Sequence, residues 1–154
     1  MKRFSFLIIS LLLLASCQPR ETYHKAVGKV FGTYYAVTYC SHRDLSDQFP
    51  LVLDSVNRSL SPFDSLSIIS RINRNAQPVA VDAHFKKVYA VARTVSEASH
   101  GAFDLTVAPL VNQWGFGFAP QTQHTDRQID SLRRLVGYQK IRIVSDSLYK
   151  DLPV

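Results

Sequence analysis

The sequence is poor in cysteine, with two in 154 residues. Cys17 ends an N-terminal apolar run, whereas Cys40 follows an apparent strand. If Cys17 is modified, Cys40 lacks a partner within the chain, so we expect no intrachain disulfide even in an oxidising compartment. We therefore interpret Cys40 as a small buried apolar residue rather than as a catalytic thiol.

The sequence also lacks the common motifs for metals and nucleotides. It has no Gly-x-Ser-x-Gly elbow, no P-loop and no Rossmann fingerprint. The net charge of +6 is not gathered into a basic cluster, which disfavours a nucleic-acid partner. No two histidines have the spacing of a zinc site. They are His24, His42, His84, His100 and His124.

The N-terminus has no apolar run of the ~20 residues that a membrane-spanning helix needs. Lys2 and Arg3 precede a shorter apolar stretch that ends in Leu-Leu-Ala-Ser-Cys. This arrangement is typical of a secretory signal, and small residues directly before a cysteine resemble a bacterial lipobox. We predict a signal peptide over 1–16, a lipid such as palmitate on Cys17, and a tether over 17–26. The alternative is an ordinary cleavable signal with an incidental cysteine.

Hydrophobic periodicity predicts a mixed α+β chain with the order β-α-α-β-α-α-β. Residues 27–40 are rich in β-branched and aromatic side chains and indicate one long strand, or two strands broken near Gly32. Short extended pieces are predicted over 79–81 and 140–144, and another strand pair begins near the C-terminus. The predicted helices cover 46–60, 65–75, 83–99, 105–114 with a break at Pro109, and 125–136.

Residues 101–117 form the most unusual segment of the chain. They contain the single tryptophan, three of the six glycines, and the carboxylate of Asp104 within an apolar run. Glycines beside aromatic residues suggest a backbone that approaches something closely, and a carboxylate among apolar residues needs a partner. Together with Gly32-Thr33 and a loop over 61–67, this segment predicts a ligand pocket. The structural alternative makes Asp104 a helix cap and Phe31, Phe63 and Trp114 core residues.

These segments resemble the ApbE family of FAD:protein FMN transferases, which are often lipoproteins. The resemblance covers nearly all of 28–142 and implies an α+β, ApbE-like (T-fold-like) domain over 27–154. It also implies an enzyme that moves the FMN moiety of FAD to a threonine or serine of a target protein and releases AMP, with Mg²⁺ neutralising phosphate charge. The matching segments are Gly32-Thr33-Tyr34-Tyr35, 61–73, 101–117 and Val136-Gly137-Tyr138-Gln139-Lys140-Ile141.

The resemblance implies a set of FAD contacts. Phe31 stands where the family usually has methionine, which keeps an apolar contact of a different shape. Phe63 stands where the family often has tyrosine, which keeps the aromatic ring and loses the hydroxyl. Asp104 is expected to accept hydrogen bonds from the ribose or adenine of FAD. No catalytic residue or metal ligand is assigned here, because the Mg²⁺ ligands of the family lie in a C-terminal half. The implied FAD contacts are Phe31, Phe63, Ala102, Phe103, Asp104 and Trp114.

The resemblance and the lipobox together imply a lipoprotein on a bacterial membrane, facing the periplasm. Gln18, rather than aspartate, follows Cys17, which favours the outer over the inner membrane. The expected partners are FAD, the membrane and a target protein such as a subunit of an ion-pumping redox complex. Because family members are much longer, we expect this chain to be an N-terminal portion that is inactive alone. The alternative is a lipid-anchored flavin-binding or interaction module without catalysis.

Overall fold

The structure is a computed structural model that describes residues 21–76, 78–117 and 125–152. The described residues contain helices and strands, as the predicted α+β class requires, with the strands antiparallel, and they fall into two compact units that divide after Leu53. The strands are β1 (Thr22–Val30), β2 (Thr33–Ser41), β3 (Val79–Ala80), β4 (Ile141–Val144) and β5 (Ser147–Lys150). The helices are α1 (Gln48–Leu60), α2 (Ile68–Asn73), α3 (Ala83–Ala98), α4 (Ala108–Gln113) and α5 (Asp126–Arg133), and a 3-10 turn covers Tyr138–Lys140.

In the first unit, β1 and β2 form an antiparallel hairpin in continuous register from Thr22 opposite Ser41 to Val30 opposite Thr33. The predicted break near Gly32 is therefore a two-residue turn. Phe31 and Gly32 both adopt positive φ, 53° and 72°, as a tight turn with the twist of a hairpin requires. β1 includes residues 22–26, which the sequence analysis assigned to the tether, because these residues pair with the end of β2.

The prediction for Cys40 is wrong, because its side chain is exposed. Strand residues alternate between two faces, and Ala26 marks the covered face of this hairpin. Cys40 pairs with Tyr23, which is 81% exposed, so both lie on the opposite face. The Cys40 thiol donates to the Glu21 carboxylate at 3.6 Å. The predicted signal peptide and the predicted lipidation site lie outside the described residues.

The second unit is built on a three-stranded antiparallel sheet with the order β3-β5-β4. The strand pair predicted near the C-terminus is the β4–β5 hairpin. Apolar residues from α2, from β3 and the residues that follow it, and from α3 and β5 pack together in the core. Partly buried residues of α1 and β4 also pack against this cluster. The buried members are Ile72, Val79, Val81, Phe85 and Leu148.

Several element boundaries differ from the predicted ones. The chain begins with two strands, as in the predicted alternative of a break near Gly32. Three helices lie between β3 and β4, which agrees with the predicted ranges but is one more than the order β-α-α-β-α-α-β counts. Pro109 lies in the first turn of α4 and does not break it, because a proline there removes no intrahelical hydrogen bond. α5 begins where the predicted helix begins, with Thr125 as its cap in a capping box with Gln128, but it ends at Arg133 rather than at residue 136. Within the described ranges, no helix is long and apolar enough to cross a membrane.

Candidate functional site

The segment that follows α3 is held by the end of that helix. His100 and Gly101 adopt positive φ, 54° and 82°, and the Gly101 N–H donates to the Ser96 carbonyl at 2.8 Å. A glycine at positive φ directly after the last turn commonly ends an α-helix. The Ser99 hydroxyl oxygen then accepts from the Phe103 N–H at 3.1 Å. The backbone of Ala102 and Phe103 therefore leaves the helix in a defined turn, with both side chains exposed.

Asp104 joins this segment to a turn more than thirty residues later in the chain. Its Oδ1 accepts from the Thr106 N–H at 2.8 Å and from the Thr106 hydroxyl at 2.6 Å. Its Oδ2 accepts from the Tyr138 N–H at 2.8 Å. The buried Thr106 hydroxyl accepts in turn from the Gly137 N–H at 2.7 Å. Asp104 thus caps the 3-10 turn and not α4, whose N-terminus at Val107 has no side-chain cap.

The carboxylate of Asp104 retains capacity for a ligand. A carboxylate offers about four acceptor positions, and donors among the residues that the structure describes occupy three of them. Oδ2 therefore has a second acceptor position beyond the Tyr138 N–H. The cap role of Asp104 is visible in the structure, whereas its contact with FAD stays a prediction.

The ring of Tyr138 packs against two further elements of the same region. The guanidinium of Arg93, on α3, lies 5.2 Å from the ring centroid. Glu97, one helical turn along α3, accepts from Arg93 Nε at 2.7 Å. A Cβ placed on Gly101 would lie 3.9 Å from the same ring. α3, the segment after it and the 3-10 turn therefore meet around Tyr138, and a cation–π contact contributes to holding them.

A groove of about 770 Å³ runs beside Asp104. Its size lies within the range of small-molecule sites, which are mostly apolar with a few polar groups. A side chain at Gly117 would clash with Asn112, so a larger residue there would shift one wall. Gly117 and three polar residues, Asn73, Asp104 and Asn112, line the groove. The apolar lining residues are Phe103, Leu105, Val107, Ala108, Pro109, Val111, Phe116 and Leu135.

A small cavity of about 70 Å³ shares Asn73, Leu105 and Ala108 with the groove. Lys150 lines it from β5 and is 7% exposed. The Lys150 ammonium donates to the Ile72 carbonyl at 2.8 Å and to the side chain of Asn75. Burial lowers the pKa of Lys150. This cation therefore ties β5 to the end of α2, beside Asn73.

The structure brings together some of the predicted site residues and not others. Phe103 and Asp104 line the groove, and Ala102 directly precedes them. Trp114 is 46% exposed at the end of α4 and is not among the lining residues described for the groove. Phe63 is 64% exposed on the loop after α1, and Phe31 lies in the hairpin turn of the first unit. Trp114 and Phe63 are therefore not core residues.

Sequence reasoning missed four polar residues around the groove. Thr106 and Asn112 lie within the segment that was singled out, but only the Asp-x-Thr spacing, typical of a side-chain turn, could have indicated Thr106. Asn73 and Lys150 had no local signal. Asn73 closes a short helix and Lys150 lies in a strand, so only the packing of α2 against β5 brings them close.

The ApbE family model matches residues 31–153, which begin at the hairpin turn and include the whole groove. This chain belongs to the ApbE family. It is 33% identical to the FAD:protein FMN transferase of Vibrio cholerae over 164 aligned residues, which cover 99% of this chain and 49% of that protein. It is 34% identical to the FAD:protein FMN transferase of Haemophilus influenzae, over 92% of this chain and 46% of that protein.

Solved ApbE structures have the same fold. The flavin transferase ApbE from Vibrio cholerae superposes with a TM-score of 0.76 and 29% identity, over 87% of this chain and 47% of that one. The flavinyl transferase ApbE of Pseudomonas stutzeri, in its apo form, gives a TM-score of 0.74 and 29% identity, over 86% of this chain and 46% of that one. The chain spans about half the length of the relatives it matches.

The residues that the structure describes do not supply an evident metal site. Within 21–76, 78–117 and 125–152, no group of three or more His, Cys, Asp or Glu side chains is arranged to hold a metal ion. Asp104, the carboxylate at the groove, is engaged by backbone and hydroxyl donors, which suit a carboxylate cap. No metal ligand is assigned to this part of the ApbE chain.

Proposed function

We propose that the full-length protein transfers the FMN moiety of FAD to a threonine or serine of a target protein and releases AMP. Membership of the ApbE family carries this proposal, and the curated relatives are FAD:protein FMN transferases. The groove beside Asp104 supports it, because aromatic and aliphatic walls suit a flat ligand and three polar side chains can orient one.

The proposed reaction breaks the phosphoanhydride bond of FAD and forms a phosphate ester with the target. The hydroxyl oxygen of the target bonds to the phosphorus of the FMN moiety, the bond from that phosphorus to the bridging oxygen of FAD breaks, and AMP leaves with that oxygen. The hydroxyl proton is released. Such reactions depend mainly on positioning and on stabilisation of phosphate charge, which Mg²⁺ would supply. The described residues offer no ligand set for Mg²⁺, so their part in the reaction is confined to the nucleotide.

The residues of this chain would bind and orient the flavin nucleotide. Phe103 and Phe116, which are 46% and 86% exposed, offer aromatic surface at the groove. The second acceptor position of Asp104 Oδ2 suits a hydroxyl or amino donor of the ribose or adenine. Contacts from Phe31, Phe63 and Trp114 belong to the proposal only through the family resemblance.

We also propose that the protein is a lipoprotein held by Cys17 at a bacterial membrane and facing the periplasm, with the outer membrane favoured over the inner one. The lipobox-like Leu-Ala-Ser-Cys sequence supports this location. A target exposed on the same side of the membrane, such as a subunit of an ion-pumping redox complex, would be within reach.

The test is a transfer assay with the full-length protein. The protein is incubated with FAD, Mg²⁺ and a candidate target, and covalent flavin on the target is detected by in-gel fluorescence while AMP is quantified. We expect a fluorescent target band and an equal amount of AMP. A target with its acceptor threonine replaced by alanine is the control and should stay dark. FAD binding without transfer to any acceptor would instead support the flavin-binding module.

A further inference from the structure

We propose that Thr106 is a positioning residue for the flavin nucleotide, acting through Asp104 and the Gly137–Tyr138 turn. This inference rests on the proposed function, because FAD is the ligand to be positioned. Thr106 is 6% exposed, so its hydroxyl is too deeply buried to be a main ligand contact. Its effect would reach the groove through the hydrogen bonds of neighbouring residues.

The hydroxyl of Thr106 links two parts of the chain through hydrogen bonds, and we call the set that joins Asp104 and Thr106 to Gly137–Tyr138 the relay. It donates to Asp104 Oδ1 at 2.6 Å and accepts from the Gly137 N–H at 2.7 Å. Asp104 Oδ2 closes the connection by accepting from the Tyr138 N–H at 2.8 Å. The Asp104 carboxylate is therefore held at both oxygens, and its rotation about the side-chain bonds is restricted.

The turn on the other side of the relay has a defined shape. Gly137 has φ of 152° and ψ of 108°, a conformation that favours glycine. The ring of the next residue, Tyr138, packs under Gly101 and the guanidinium of Arg93. The conformation of Gly137 and the packing of the Tyr138 ring thus fix the turn to which Thr106 is hydrogen-bonded. The turn can therefore hold the carboxylate of Asp104 in place.

The exposed residues Ala102 and Phe103 lie between two anchors. The Ser99 hydroxyl oxygen holds the Phe103 N–H on one side, and Asp104 is held by Thr106 and Tyr138 on the other. A binding surface that is ordered before the ligand arrives loses less conformational entropy on binding. Loss of the Thr106 hydroxyl should therefore weaken FAD binding although Thr106 lies behind the surface.

The chemistry of the relay requires a hydroxyl. One oxygen atom donates to a carboxylate and accepts from a backbone N–H, and valine, which has the same shape, does neither. Serine keeps both hydrogen bonds and loses a methyl group. Thr106→Val and Thr106→Ser therefore separate the hydrogen bonds from the packing.

The experiment measures FAD affinity of the full-length protein by calorimetry, well below the unfolding temperature. Thr106→Val should bind FAD roughly tenfold more weakly, as expected for the loss of a hydrogen bond to a charged group. Thr106→Ser should restore most of the affinity. In an Asp104→Ala background, Thr106→Val should cause little further loss, because the two residues act as a unit. Full additivity would overturn the proposal, as would unchanged affinity in Thr106→Val.

A control separates positioning from general destabilisation. Val81→Ala removes buried apolar atoms from the core and leaves the relay intact. It should lower the unfolding temperature while FAD affinity stays as in the wild type. If Val81→Ala weakens FAD binding as much as Thr106→Val does, stability alone explains the effect and Thr106 has no positioning role.

Hydrogen exchange tests the relay without any ligand. Thr106→Val should speed amide exchange at Gly137 and Tyr138 and also at Ala102 and Phe103. A wild-type protein that does not bind FAD would overturn the proposed function, and the exchange data would still decide whether Thr106 holds the segment. Unchanged exchange at Ala102 and Phe103 would overturn the positioning role.

Discussion

Asp82 links the start of α3 to the end of α1, and Asp82→Ala would remove both contacts. Asp82 Oδ1 accepts from the Phe85 N–H at 2.8 Å, as the N-cap of a 16-residue helix. The same oxygen accepts from the Ser59 hydroxyl at 2.7 Å, and Ser59 is fully buried. Alanine at position 82 would therefore leave the helix uncapped and the Ser59 hydroxyl without its acceptor.

The expected loss of stability follows from these two contacts. Replacing an N-cap by alanine costs about 0.5–2 kcal/mol, and a buried hydroxyl without its partner costs about 1–3 kcal/mol. We expect Asp82→Ala to lower the free energy of unfolding by about 3 kcal/mol. Ser59→Ala removes the donor but keeps the cap, and should cost only about 1 kcal/mol. In the Ser59→Ala background, Asp82→Ala should then cost about 1 kcal/mol, for the cap alone.

The contribution of Asp82 to the free energy of unfolding depends on pH, and the direction of its pKa shift fixes the direction of this dependence. Burial raises the pKa of the Asp82 carboxyl, but hydrogen bonds from the Phe85 N–H and the Ser59 hydroxyl, with the nearby His84, outweigh it and leave the pKa lowered. Because the folded pKa lies below the ordinary value of 3.8, the charged carboxylate stabilises the fold above that value. Its contribution is lost as the pH falls through the folded pKa.

Urea unfolding followed by circular dichroism measures both effects in the full-length protein. At pH 7 the difference between wild type and Asp82→Ala should be near its maximum, and it should shrink as the pH falls below 3.8. A loss below about 0.5 kcal/mol at pH 7, the range of ordinary surface substitutions, would refute the cap and the buried contact. A difference that grows towards low pH would refute the assigned sign.

Two further changes test the site and the location. Asp104→Ala should weaken FAD binding measured by calorimetry, because it removes the acceptor of the Tyr138 N–H and the acceptor offered to the ligand; an unchanged dissociation constant would leave Asp104 with a structural role alone. Cys17→Ser should abolish incorporation of labelled palmitate and move the protein from the membrane to the soluble fraction, and continued labelling would contradict lipidation at Cys17.

The fold was predictable from sequence where local patterns decide it. The apolar stripe of α3 and its glycine stop at Gly101 gave that helix within one residue at its C-terminal end. The hairpin was harder to predict from the sequence, because its turn begins with Phe31 and phenylalanine at positive φ is uncommon. Cys40 was misassigned because strand alternation gives two faces without saying which of them is covered.

The site was predictable only in part. The composition of 101–117 identified the segment that lines most of the groove. The partner of Asp104 was not predictable, because the Gly137–Tyr138 turn lies 33 to 34 residues away and periodicity carries no information about such pairing. The exposure of Trp114 contradicts only the alternative that made it a core residue, which arose because an aromatic residue in an apolar run resembles a core residue when the packing is unknown.

The two interpretations of Asp104, as a cap and as a ligand contact, are compatible. A carboxylate without internal partners would have to be ordered when the ligand binds, and this ordering would reduce the affinity. In this structure the Tyr138 N–H and the Thr106 donors already order it, and a second acceptor position remains on Oδ2. The hydrogen bonds that make Asp104 structural therefore also prepare it for binding. Removal of the Thr106 hydroxyl, which does not contact the ligand, should therefore lower the affinity for FAD.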